Sequence, residues 1–227
     1  MLVGCAPSPR NHSSDLDFRS EGDGEMKVSG SGYAENRVAG TLFGEAIILI
    51  LGTILLTLSA KVQVPFYPVP MTLQTMVVVG LGLFLGPVRG SGIVLAYILQ
   101  GLAGFPVFAG TLPAPSGLAY VAGPTGGYLV GFVAAAFASG WLVRRGFARG
   151  IAGAVTVCIF ASALVYLPGL AWLGAFTGYG ERLLTAGLYP FVLGDLVKSA
   201  VAALLFVVGG AIIPGLGSKS GKVSDAK

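Results

Sequence analysis

From Thr41 onward the chain breaks into apolar runs punctuated by Pro, Gly and basic residues. Six runs are long enough for a hydrocarbon core that needs roughly 20 residues per helix. They cover about 41 to 60, 70 to 86, 89 to 109, 123 to 143, 150 to 168 and 187 to 213. With 54% hydrophobic residues, 11% charged residues and a mean hydropathy of +0.82, an ordinary soluble domain is ruled out. The expected fold is an all-α integral membrane protein with six transmembrane helices. The second run is short. The stretch between the fifth and sixth, with Trp172, Phe176 and Tyr179 among glycines, reads as an interfacial segment, because amphipathic rings favour the headgroup level.

The flanks differ in kind. Residues 1–40 are rich in Ser, Gly and acids and lack apolar periodicity, so they cannot bury enough surface to offset chain entropy and are expected to be a disordered leader. Residues 41–213 form the expected membrane domain, and 214–227 a short basic tail. If the runs alternate in direction, Arg37, Arg89, Arg144, Arg145, Arg149, Lys219 and Lys222 fall on one side, and Lys61 and Arg182 on the other. This positive-inside bias predicts that both termini are cytoplasmic. The net charge of +4 is then a topology signal, and no nucleic-acid partner is expected.

Several chemistries are disfavoured. Cys5 and Cys158 are far apart, which leaves neither a disulfide framework nor a paired thiolate site. The single histidine, His12, lies in the leader, so the apolar body has no imidazole for a triad or metal cluster. No acidic residue occurs between Glu45 and Glu181, which disfavours paired-carboxylate catalysis. A P-loop is absent, so any ATP that energises the protein must be hydrolysed by another subunit.

Charge survives inside the last run, where Asp195 and Lys198 stand about a third of the way along. Each charge there costs roughly 2.5–3.5 kcal/mol on insertion scales. Their spacing puts both side chains on one helical face, as a mutually neutralising pair facing the bundle or as two groups bracketing a polar ligand. Glu45 lies near the start of the first run, where a carboxylate suits a helix N-terminus and reaches the interface. Gln74 can hydrogen-bond into a cavity or to a neighbouring helix.

Gly123, Gly127, Gly131, Ala135 and Ser139 recur every four residues and make a smooth ridge for close helix approach. The strings 86-GPVRG-90 and 123-GPTGG-127 each open a run, with proline just inside the start. The 65-PFYPVP-70 run imposes an extended, proline-stiffened path, either as a cap over an outward-facing cavity or as a connector.

Four strings in order, 64-VPFYPVPMTLQT-75, 105-FPVFAG-110, 123-GPTGGYLVGF-132 and 194-GDLVK-198, strongly resemble the BioY family, the biotin-binding S components of energy-coupling factor (ECF) transporters. The resemblance covers roughly residues 41 to 213. It implies a subunit of the plasma or inner membrane that captures biotin from outside and delivers it inward. Its implied partners are a transmembrane coupling protein and ABC-type ATPase subunits, with no enzymatic activity or resident cofactor of its own.

Carried over by position, the resemblance makes Asp195 and Lys198 the polar end of the biotin site. Gln74, Thr125 and Gly126 join them, with Phe108 and Tyr128 as apolar walls under a lid that runs from 105–110 through 123–128. The sequence departs from the family in having Gly110 where an Asn often follows the PVFA string, and in lacking Lys or Arg between Arg89 and Arg144. The first-run stripe reads Gly44, Ile48, Gly52, Leu56, Ala60 rather than being alanine-rich. An S component for another small vitamin remains an alternative. A six-span membrane enzyme would need a catalytic constellation, and none is found.

Overall fold

The computed structural model describes residues 31–64, 68–110 and 117–212, with side chains from Leu42 onward. The chain divides into two units, Met1–Thr41 and Leu42–Lys227. The described part of the first is helical backbone from Ser31, and the remaining account concerns the second. Residues 1–30 of the expected leader and the tail at 214–227 lie outside the described residues.

The order is α1 (Ser31–Lys61), β1 (Gln63–Val64), β2 (Met71–Thr72), α2 (Gln74–Leu85), α3 (Pro87–Leu102), α4 (Leu118–Val121), α5 (Gly126–Arg144), α6 (Gly150–Thr177), α7 (Glu181–Gly187) and α8 (Tyr189–Ile212). Each apolar run overlaps one of the six longer helices. Four stretches are long and apolar enough to cross a bilayer: Leu42–Lys61, Gly126–Arg144, Gly150–Thr177 and Glu181–Ile212. The other two runs yield shorter helices. α2 has 12 residues and α3 has 16, or about 18 and 24 Å at the usual rise, against a hydrocarbon thickness of about 30 Å.

Burial is arranged as lipid requires. Outward faces are apolar, as on α8, where Leu193, Val197, Leu204 and Leu205 are exposed. Polar side chains are drawn inward, and Thr53, Ser59, Gln74, Ser139, Ser162, Asp195 and Ser199 are buried. A water-soluble bundle would show the reverse pattern.

α5 occupies the middle, packed on α2, α3 and α6. Its small residues explain why. A Cβ on Gly127 would stand 2.3 Å from the Pro168 carbonyl oxygen, and one on Gly131 would stand 2.7 Å from that of Val165, so α6 approaches to backbone contact. On the α2 side, Ser139 Oγ donates to the Val79 carbonyl at 3.1 Å. A Cβ on Gly82 would fall 2.0 Å from Ser139 Oγ. With no hydrophobic force between helices in lipid, such close contact supplies the cohesion.

Two local expectations change. The helix expected to end at Pro168 continues as α6 to Thr177 with Pro168 inside it. Trp172 and Phe176 therefore lie on a helix rather than on a separate interfacial stretch. Packing against the α5 glycines compensates for the proline, as neighbouring helices can in membranes. Pro87 does stand at the start of α3. Pro124, however, precedes the Thr125 N-cap of α5 and lies outside that helix. Of the proline-rich run, residues 65–67 lie outside the described set. The segments around it pair antiparallel, with Gln63 opposite Thr72 and Val64 opposite Met71.

The α2–α5 contact can be tested by adding one carbon. Gly82→Ala forces a Cβ against the Ala136 carbonyl at 2.2 Å, so the thermal midpoint of the purified protein falls by at least about 3 °C. Gly80→Ala meets nothing within 4 Å and leaves the midpoint unchanged.

Candidate functional site

At the end of the bundle that carries Lys61, residues from α2, α4, α5, α6 and α8 surround a cavity, with the β2 segment and the 105–110 loop closing it. Asp195 and Lys198 stand on α8 one turn apart. Lys198 Nζ donates to Asp195 Oδ1 at 2.9 Å, with both side chains about nine-tenths buried. The other carboxylate oxygen, Oδ2, accepts from the Tyr166 hydroxyl on α6 at 2.5 Å. Asp195 is thus held by two donors on different helices, and its remaining lone pairs can accept from a ligand.

Gln74 begins α2 and is 4% exposed. Its Nε2 is buried without a hydrogen-bond partner. The Tyr97 hydroxyl lies near this amide; its proton goes to the Val107 carbonyl at 2.9 Å, so toward Nε2 its oxygen is an acceptor, outside hydrogen-bond geometry here. An unmet buried donor is costly, so this nitrogen is a point where a ligand acceptor gains most. The pocket thereby presents acceptor capacity at Asp195 and donors at Lys198 and Gln74. Around them stand the rings of Tyr120, Tyr128, Phe132, Tyr166 and Phe191. Burial raises the pKa of the Tyr120 phenol above its ordinary value, which keeps that hydroxyl protonated near neutral pH.

Of the residues singled out by sequence, Gln74, Thr125, Tyr128, Asp195 and Lys198 all line this cavity. Phe108 and Gly126 stand behind the wall. Phe108 is 2% exposed, stacked on Tyr120 with centroids 4.5 Å apart and edge-on to Tyr97. It has room because Gly101 has no side chain, since a Cβ there would lie 2.0 Å from the Phe108 ring. Ala109 lines the space in its place. Gly126 sits where a Cβ would strike the Val121 carbonyl at 1.8 Å, so it fixes the approach of α4 to α5.

Tyr166 was not singled out, being one ring within an apolar run. The available signal was chemical: a tyrosine hydroxyl buried mid-span must find a partner. Tyr120, Thr72 and Phe191 were likewise missed, because their place on the wall depends on chain segments meeting across the fold.

Three side-chain bonds hold the loop over the cavity, counting that of the Tyr97 hydroxyl to the Val107 carbonyl. Lys61 Nζ donates to the Phe108 carbonyl at 2.7 Å, and the Gly110 N–H donates to Gln63 Oε1 at 3.1 Å. Below, the Tyr128 hydroxyl donates to the Gly187 carbonyl at 2.9 Å, and Trp172 Nε1 to the Gly123 carbonyl at 2.9 Å. The cavity volume is about 40 Å³, room for about three waters.

The fold defines a multi-pass protein of the cell membrane with a polar pocket at one end of its bundle. The chain belongs to the BioY family, whose model matches residues 34–214. It is 35% identical over 161 residues to the probable biotin transporter BioY of Pyrococcus horikoshii, covering 71% of this chain and 93% of that one. It is also 37% identical over 167 residues to the biotin transporter BioY of Rhizobium etli, with 70% and 85% coverage. Among solved structures it resembles the S-component for biotin from an ECF-type ABC transporter. The TM-score is 0.62 at 26% identity, over 75% of this chain and 90% of that one.

The loop restraint generates a direct expectation. Lys61→Met removes the bond to the Phe108 carbonyl, so hydrogen–deuterium exchange across 105–110 becomes at least about threefold faster, while α5 exchange stays unchanged.

Proposed function

We propose that this chain is the biotin-binding membrane subunit of an ECF-type uptake system. The observation that carries this reading is the cavity that brings together Asp195, Lys198 and the unpartnered Gln74 Nε2 among aromatic rings, in a chain of the BioY family. Biotin offers two ureido N–H donors, a ureido carbonyl, a carboxylate, a thiophane ring and an alkyl chain. Asp195 accepts a ureido N–H, and Lys198 donates to the ureido oxygen or to the carboxylate. Gln74 Nε2 supplies a further donor. Tyr128, Thr125 and neighbouring rings enclose the thiophane ring, while Phe108 and Gly126 shape the wall from behind. Opening of the 105–110 loop admits the vitamin. The chain acts as a carrier rather than an enzyme, with biotin as cargo and no resident cofactor. A transmembrane coupling protein and ABC-type ATPase subunits supply the energy.

All six longer helices cross the bilayer on this reading, with residues 1–40 and 214–227 as cytoplasmic flanks of the membrane domain. α2 and α3 fall short of full depth, and the β1–β2 pair with segments 103–110 and 117–125 fills the remainder near the cavity, as buried irregular backbone can. Arg89, Arg144, Arg145 and Arg149 lie at the end away from the cavity, which supports a cytoplasmic placement of that end. The cavity then faces outward. A cysteine placed after Lys227 should resist impermeant thiol reagents in intact cells; ready labelling there reverses the orientation.

Calorimetry of the purified chain should show submicromolar biotin binding without ATP, unaffected by riboflavin, thiamine or niacin. Absence of heat at micromolar biotin, or displacement by one of these competitors, refutes the assignment. Asp195→Asn and Lys198→Met should each weaken biotin binding at least tenfold, or about 1.4 kcal/mol. The double variant decides the role of the pair: a folded protein that cannot hold biotin fits a ligand site, whereas restored stability with normal binding marks a structural ion pair.

A further inference from the structure

The turn between α5 and α6 joins two features that the cavity does not use. Arg144, Arg145 and Arg149 are exposed. Among the described residues the ion pairs are Arg89 with Glu45 and Lys198 with Asp195, so none of these three arginines meets a carboxylate. Arg145 lies over the Trp141 ring, 4.6 Å from its centroid. Arg149 is the N-cap of α6, and no side chain caps the first amides of that helix. Guanidinium groups and open helix-start amides together make an anion-seeking surface.

Beside them a groove of about 380 Å³ lies between α5 and α6, lined by Leu142, Phe147, Gly153, Thr156, Val157 and Phe160. Thr156, the polar side chain of this set, donates back to the Ala152 carbonyl at 2.9 Å. The groove therefore offers apolar contact alone. Phe147, which lines the groove, is two residues from Arg145 and two from Arg149, whose guanidinium lies against Gly146, so the charges flank the groove in the chain.

A free anion would leave the groove unfilled, and an uncharged chain would leave the arginines unmatched. We propose that this corner binds an anionic phospholipid, with the phosphate against Arg145, Arg149 and the start of α6, and one acyl chain in the groove. Charge complementarity selects an anionic over a zwitterionic headgroup.

The test titrates the delipidated full-length protein with phosphatidylglycerol, phosphatidylcholine of the same chains, and inorganic phosphate, read by native mass spectrometry. Phosphatidylglycerol should be retained at least about tenfold more tightly than phosphatidylcholine. The Arg145→Gln/Arg149→Gln variant should lose that preference. Thr156→Trp, which fills the groove and keeps the charges, should weaken phosphatidylglycerol binding. Unchanged biotin binding in both variants marks them as folded, and a melting curve serves that purpose if the chain binds no biotin. Equal retention of both lipids, full retention by either variant, or phosphate competing as well as the lipid overturns the proposal.

Discussion

Backbone contact at glycine governs this fold. Lipid tails are as apolar as the helices they surround, so burying a leucine between two helices gains little over leaving it in the bilayer. What holds α5 to α2 and α6 is the absence of side chains at Gly82, Gly127 and Gly131, which brings carbonyls and Cα atoms within van der Waals reach. The polar pocket depends on that contact. Tyr128, on the same helix as Gly127 and Gly131, reaches Gly187 only because α5 lies deep against α6. The ring of Tyr128 also covers Gly169, where a Cβ would stand 2.6 Å away.

The pocket sits where helices stop short. α2 begins at Gln74 and α3 ends at Leu102, which leaves space at one end of the bundle that longer helices would have filled. The hairpin and the 105–110 loop cover that space, and the polar groups gather there because irregular backbone already needs partners. Asp195 persists in an apolar helix through Lys198 on its own helix and Tyr166 on the next. Each donor offsets part of the cost of withdrawing a carboxylate from water.

Much of this was legible in the sequence, for identifiable reasons. Apolar run length located a helix in each expected place, and the four-residue recurrence of small side chains marked the face of α5 that others approach. Asp195 and Lys198 stood out because charge in such a run is expensive. The continuation of α6 past Pro168 was not legible, since local propensity opposes it and only the packing of α5 glycines on that stretch permits it. The placement of Phe108 behind Tyr120 was hidden as well. It depends on the vacancy at Gly101, a residue with no motif of its own.

The Asp195–Lys198 pair also bears on energetics. Its two charges cancel, so the pair itself carries no net charge. On the reading proposed, a biotin anion brings one negative charge that this pair does not balance. A cell interior at negative potential repels that charge, at about 2.3 kcal/mol per 100 mV for passage across the whole field. Delivery inward is then electrical work as well as a matter of concentration. Capture at the outer end needs no such work, and this divides the labour between a carrier that binds and a partner that drives.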